Sequence, residues 1–106
     1  MSQFDSCIQT CIECADACRS CATECRNEPG MEQCASLDEE CAEACDQCVE
    51  TMRAGSSSDC TRCADICEKT AAECERHSEH DHCRRCAAAC RKCADECRRM
   101  AASAAA

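Results

Sequence analysis

The chain has little of what a conventional hydrophobic core is made from. Its 106 residues include one Phe, no Trp and no Tyr. Large aliphatic and aromatic side chains number six: Phe4, Ile8, Ile12, Leu37, Val49 and Ile66. Six such residues cannot make an ordinary core, and with a net charge of -9 the composition alone would predict disorder. Helix breakers are also scarce: Pro29, Gly30 and Gly55 are the only prolines and glycines. No apolar run approaches the ~20 residues that cross a bilayer. The opening MSQFDSC lacks both a basic and an apolar targeting region, so the expectation is a cytoplasmic protein without membrane contact. Basic residues are in deficit, 12 Lys+Arg against 21 Asp+Glu, which argues against nucleic acid as a partner. No motif pairs a nucleophile with a base and no phosphate-binding loop is present, so no enzymatic activity is expected.

What is present instead is cysteine, 19 of them. An unbridged thiol is among the most buried of side chains and packs as a small hydrophobe. Inward-facing thiols would therefore give this chain the core that its aliphatic residues cannot. A reducing cytoplasm keeps them free, and an odd number leaves one over in any fully paired disulfide scheme.

The breakers divide the chain into four segments, at Pro29-Gly30, at Gly55-Ser56-Ser57-Ser58 and in the polar run His77 to His82. Ala, Glu, Arg, Lys and Cys dominate between them and favour helix over strand. Helices are expected at about 3–27, 31–53, 59–77 and 82–101 within a single domain spanning 1–106. Start signals are a capping box of Ser2 with Asp5, Ser58 or Asp59 before the third helix, and Asp81 before the fourth.

Spacing then sets the packing. Cys7, Cys11, Cys14, Cys18, Cys21 and Cys25 follow in steps of 4, 3, 4, 3, 4. That is a heptad seam, one stripe running ~27 Å along a helix. Cys83, Cys86, Cys90, Cys93 and Cys97 repeat it, and Met100 continues it. The second helix reads Cys34, Leu37, Cys41, Cys45, Cys48, Met52. The third reads Cys60, Cys63, Cys67, a gap near Thr70 and Ala71, then Cys74. Short connections between helices of similar length predict an all-α, antiparallel up-down-up-down four-helix bundle with a Cys-lined core.

A row of thiols suits a soft metal: Cu(I), Zn(II) or iron in clusters. Ferredoxin spacing is absent, and structural zinc pairs usually sit on turns, whereas these C-x2-C pairs lie within helices. Charge separates the remaining two. Four thiolates on Zn(II) carry a formal -2, and stacked sites of that kind would repel in a narrow core. Thiolates that each bridge two Cu(I) ions, with two thiolates per ion, are neutral when full. The protonated tube is neutral when empty, and about one proton leaves for each ion that enters. The expectation is multiple Cu(I) ions, on the order of one per cysteine. Competing readings are a zinc or soft-metal buffer of metallothionein type and a dithiol redox protein. The latter usually carries a single C-x2-C at a helix N-terminus rather than one in every helix.

The runs CIQTCIECADACRSCATEC and CRRCAAACRKCADEC, with C-x2-C or C-x3-C spacing in all four segments, resemble the bacterial copper storage proteins over nearly the whole chain. The resemblance implies a four-helix bundle storing many Cu(I) ions on inward cysteines, assembled as a homotetramer. The absence of an export signal is similar to the cytosolic branch. A copper chaperone is a further expected partner. Histidines near one mouth are a family feature, and His77, His80 and His82 fit it.

Antiparallel topology gathers His77, His80, His82 and Met31 at one end, and Met52, Met100 and the N-terminus at the other. The histidines are candidate ligands that pass copper inward, with Cys74 and Cys83 as the first thiols met. Three solvated histidines in a polar turn are the plainer alternative. Met52 and Met100 read as core plugs or as ligands. Ile8, Ile12, Ala15 and Ala22 form a second stripe, either internal to the bundle or a subunit interface. Glu39, Glu40, Glu43, Arg98 and Arg99 read as a solvated face.

Overall fold

The computed structural model describes residues 3–105. Four helices occur in it: α1 (Asp5–Arg26), α2 (Glu32–Arg53), α3 (Cys60–Glu75) and α4 (Asp81–Ala105). The largest departure from the expected spans is the end of α4, which continues through the alanine-rich tail. Alanine has the highest intrinsic helix propensity, so nothing in that tail stops the helix.

The helix starts differ from expectation. Ser2, half of the expected capping box, lies outside the described residues, and α1 begins after Phe4, whose side chain makes no capping bond. Asp59 precedes α3 but does not cap it. Its Oδ2 instead accepts a 2.6 Å bond from the Thr51 hydroxyl and pins the α2–α3 turn. Asp81 lies inside the first turn of α4, paired with Arg84 at 2.8 Å and Arg85 at 2.9 Å. Asp5, Glu32 and Asp81 each place negative charge in a first turn, where the helix dipole favours it.

Helix α2 ends in a Schellman motif. Gly55 N–H donates to Met52 O at 2.9 Å and Ser56 N–H to Thr51 O at 3.0 Å. Gly55 has φ +90°, the left-handed conformation this closure requires and one that a Cβ penalises.

Each helix packs on two neighbours: α1 on α2 and α4, α3 on α2 and α4. The pairs α1/α3 and α2/α4 are thus diagonal, in a rod measuring 44 × 19 × 19 Å. Cys7 lies by Cys97 and Cys25 by Cys83, so α1 and α4 run antiparallel. Cys34 by Cys74 and Cys48 by Cys60 show the same for α2 and α3. All 19 cysteines are buried. Ala15, Ala42, Ala64, Ala71, Ala87 and Ala94 flank them in the core. Residues this short let the helices approach until sulfurs meet across the diagonal, Cys14 to Cys67 at 4.0 Å and Cys45 to Cys93 at 3.9 Å.

The second stripe of α1 divides. Ala15 and Ala22 are buried within the bundle, whereas Ile8 and Ile12 are partly exposed beside α2, near Arg53. The charged outer face is laced by ion pairs. Arg98 reaches Asp65 at 2.6 Å and Glu68 at 2.9 Å, Arg91 reaches Glu75 at 2.8 Å, and Arg26 pairs with Glu39. Exposed pairs of this kind contribute little to stability, because solvent screens them.

Candidate metal centre

The inward stripes meet as expected. No cysteine is bridged, and neighbouring sulfurs stand well beyond the ~2.05 Å of a disulfide. Cys93 is 3.5 Å from Cys11, Cys41 3.6 Å from Cys67, Cys18 3.7 Å from Cys90 and Cys48 3.8 Å from Cys60. A metal–sulfur bond of ~2.3 Å gives sulfur–sulfur edges of ~3.8 Å in a tetrahedron and ~4.0 Å in a trigonal plane. Three- or four-coordinate ions fit the row with little movement, and a linear ion held by two thiolates needs the sulfurs to spread by about 1 Å, to ~4.6 Å.

The row is continuous. Cys11, Cys63, Cys93 and Cys97 form a quartet with all sulfurs within 4.8 Å of one another. So do Cys45, Cys63, Cys67 and Cys93, then Cys14, Cys41, Cys45 and Cys67, then Cys14, Cys18, Cys41 and Cys90. Successive quartets share Cys63 with Cys93, Cys45 with Cys67, and Cys14 with Cys41. Sharing is the decisive property, because a thiolate common to two groups is a bridging ligand. Independent zinc sites of four thiolates each cannot be cut from this set without leaving members out.

At the α3–α4 end the row finishes on nitrogen. His82 presents a ring nitrogen within 4.8 Å of the sulfurs of Cys21, Cys25 and Cys83. Its Nε2 is buried without a hydrogen-bond partner, and the His80 ring lies over it at 5.2 Å between centroids. His77 is placed differently: its Nε2 is 3.0 Å from Oε2 of the largely buried Glu73, whose other oxygen holds Arg76 at 2.9 Å. The structure therefore brings one of the three sequence candidates into the thiol row, sets the second against it with its ring tilted by 37°, and ties the third to a carboxylate. Cys83 stands beside His82, while Cys74 lies deeper, 3.6 Å from Cys34. Met31 is buried at this same end.

The opposite end is apolar. Phe4, Met52 and Met100 are 6%, 2% and 6% exposed and belong to the core cluster. They close the tube beyond Cys7, Cys48, Cys60 and Cys97.

One core position departs from the sequence reading. Leu37 is buried but lies outside the contiguous core cluster, its carbonyl accepting from the Thr70 hydroxyl at 3.4 Å. The inward position is taken by Asp38, which is 0% exposed. Its Oδ1 accepts from Cys86 at 3.3 Å and Cys74 at 3.7 Å. The signal lies in the spacing: Cys34, Asp38, Cys41, Cys45, Cys48, Met52 keeps the steps 4, 3, 4, 3, 4, which Leu37 breaks.

Among the tube's titratable groups, burial is the leading influence at Cys83, Cys60 and Asp38. It pushes the Cys83 thiol up to about 11, with the charge of Cys25 adding to it, and it pushes Cys60 upward at the other end. Burial, followed by the charge of Cys86, raises the Asp38 carboxyl to about 8. The tube without metal holds protons at these positions.

Fold and site together define a class: a four-helix bundle whose core is a continuous ladder of unbridged thiols, built to hold soft metal ions in number. The chain belongs to the copper storage protein family, whose sequence model matches residues 1–102. Solved relatives agree. The apo form of copper storage protein 3 from Bacillus subtilis is 44% identical, with a TM-score of 0.88, over 92% of this chain and 98% of that one. The Cu(I)-bound protein BsCsp3 is 43% identical, with a TM-score of 0.85, over 92% and 96%. A cytosolic copper storage protein from Streptomyces lividans, loaded with five coppers, is 34% identical, with a TM-score of 0.85, over 91% and 89%. No curated protein sequence matches.

Proposed function

We propose that this protein stores Cu(I) as cargo, with all 19 cysteines serving as thiolate ligands. The overlap of the sulfur quartets carries the reading. Bridging thiolates match ions to sulfurs one to one, so the buried core stays near neutrality as it fills. Each ion exchanges for about one thiol proton, and the bundle has the same net core charge before and after loading. Two relatives with copper bound support the choice of metal. No catalytic step belongs to this reading.

Copper reaches the row at the histidine end. His80 and His82 offer exchangeable nitrogen ligands in line with Cys21, Cys25 and Cys83, while the far end is plugged by Phe4, Met52 and Met100. Cytoplasmic residence, delivery by a copper chaperone and assembly as a homotetramer complete the proposal. The partly exposed Ile8 and Ile12 supply apolar surface for assembly, and light scattering of the purified chain reads its mass directly.

The deciding experiment is an anaerobic titration of the reduced protein with Cu(I) and with Zn(II) against a competing chelator. Storage gives tight Cu(I) uptake approaching ~19 ions and only a few Zn(II). A redox protein would instead take up little of either and form reversible disulfides at a defined potential. Histidine-mediated loading is tested by the His77→Ala, His80→Ala, His82→Ala triple variant. Unchanged loading rates would end that part of the proposal.

A further inference from the structure

The seam between α1 and α4 is closed unevenly. Near the plugged end the Ser6 hydroxyl donates to Glu96 at 2.7 Å and ties the two helices together. Near the histidine end α1 presents Ala17 and Ser20, three residues apart and so on one face. Both side chains are too short to span the seam. A cavity of about 150 Å3 lies there, lined by Ala17, Ser20, Cys21, His82, Arg85 and Cys86. Its rim residues Ser20 and Arg85 are exposed, whereas the Cys21 and Cys86 thiols at its floor are buried. That floor is part of the sulfur row. A His82 ring nitrogen lies within 4.8 Å of the Cys21 sulfur, and Cys86 stands 3.7 Å from Cys18. The end of the rod is covered more closely, by Met31 at 4% exposure and by His77 held on Glu73.

We propose that this opening is a side window through which Cu(I) enters as an anionic complex with small thiols, drawn in by Arg85. The proposal rests on the storage reading and names the chemical form in which the cargo arrives. Cu(I) held by two small thiolates carries a formal -1. A chain of net charge -9 repels such a complex over most of its surface. At the window the charged lining residue is Arg85, and its partner Asp81 is shared with Arg84, so the rim is left positive. A larger hollow of about 540 Å3 touches Cys25 from the α1–α2 side, but there Glu28, Glu32 and Glu39 outweigh Arg26. Size sets the donor class as well. The window is smaller than the ~300 Å3 at which drug-sized pockets begin, so it admits a slim thiolate arm and no folded domain. Exchange balances at its floor. A copper–sulfur bond forms to Cys21, one bond to a small thiolate breaks, and the Cys21 proton leaves on the released thiol. The unpartnered His82 nitrogen then replaces the second small ligand, which departs as a thiolate with the negative charge. Copper remains Cu(I) throughout, one proton leaves per ion, and Cys86 hands the ion on to Cys18.

The test is anaerobic stopped-flow loading of the reduced full chain from two Cu(I) complexes of similar size. One is made with 2-mercaptoethanesulfonate, an anionic thiol, and the other with cysteamine, a cationic one. Arg85→Glu should slow loading from the anionic complex about tenfold and leave loading from the cationic complex no slower. Lys92→Glu makes the same charge change at an exposed position of the same helix and should leave the ratio of the two rates unchanged. Ser20→Phe covers the opening and should slow both donors alike. Equal rate ratios in Arg85→Glu and Lys92→Glu overturn the proposal, as do wild-type rates in Ser20→Phe. Should Ser20→Phe lose its helical circular dichroism, Ala17→Leu answers the same question: slowed loading upholds the window and wild-type loading overturns it. Final Cu(I) capacity separates the two readings. Full capacity with unchanged rates sinks the window alone, whereas uptake of only a few ions by the wild type sinks storage and the window together.

Discussion

Between Cys48 and Cys60 at one end and Cys25 and Cys83 at the other, the sulfur row passes between two chemical settings. The first half is closed by Phe4, Met52 and Met100, and its buried polar side chain, Thr10, is bonded to the backbone of its own helix. The second contains the Asp38 carboxyl, the His82 ring with His80 over it, and the Glu73–His77 pair. The four helices continue through both, so the difference comes from a handful of side chains. Under the proposed function the difference separates holding ions from exchanging them along one axis: the histidine end offers nitrogen donors, and the remote half is left to thiols.

The strongest way to break the comparison is through pH. A free aspartate releases its proton near 3.8, whereas buried Asp38 keeps it to about 8. The stability this group contributes is therefore fully present below about 3.8, is lost as pH rises, and is gone above about 8. Across that window the stability of the apo protein relative to Asp38→Asn should fall by as much as ~5 kcal/mol, measured by urea unfolding under reducing conditions. A pH-independent difference would place the carboxyl in contact with water.

The plugged end should be the structural one. Met52→Ala removes a side chain that is 2% exposed and should cost ~3 kcal/mol in the same unfolding assay, as a buried cavity does. His82→Ala at the open end should cost less than half as much. Kinetics should reverse the order. Replacing His80 and His82 together by Ala should slow Cu(I) transfer from a chelator about tenfold in stopped-flow, ~1.4 kcal/mol of barrier, while Met52→Leu leaves the rate unchanged. The smallest effect concerns the turn at the plugged end: Gly55→Ala, at φ +90°, should destabilise by ~1 kcal/mol, read as a lowered midpoint for thermal unfolding.

How much of this is legible in the sequence depends on whether spacing or chemistry is allowed to decide. The stripes of α1 and α4 can be read directly, because every inward position is Cys or Met and the 4, 3 alternation is unbroken. At position 38 the same alternation points inward, but carboxylates are almost never fully buried, and hydrophobicity favours the neighbouring Leu37. The three histidines are equivalent on paper, since the turn between α3 and α4 has no periodicity to orient them. Only the backbone path from Arg76 to Asp81 decides that His82 meets the thiols while His77 turns back to Glu73. Helix starts depart from expectation for a related reason: Asp59 has a better partner in the Thr51 hydroxyl across the turn than in its own helix. The half-buried Ile8 and Ile12 are separable from buried Ala15 and Ala22 only once the α1–α2 distance is known.

Because successive quartets hold two corners in common, no single sulfur is indispensable to the row. Deleting one thiol leaves its neighbours with other partners in reach, so damage or oxidation at one rung trims the load by about an ion and leaves the rest of the ladder in service. An ion can likewise move one rung at a time, gaining a new sulfur before releasing the old one, and never stand bare inside the rod.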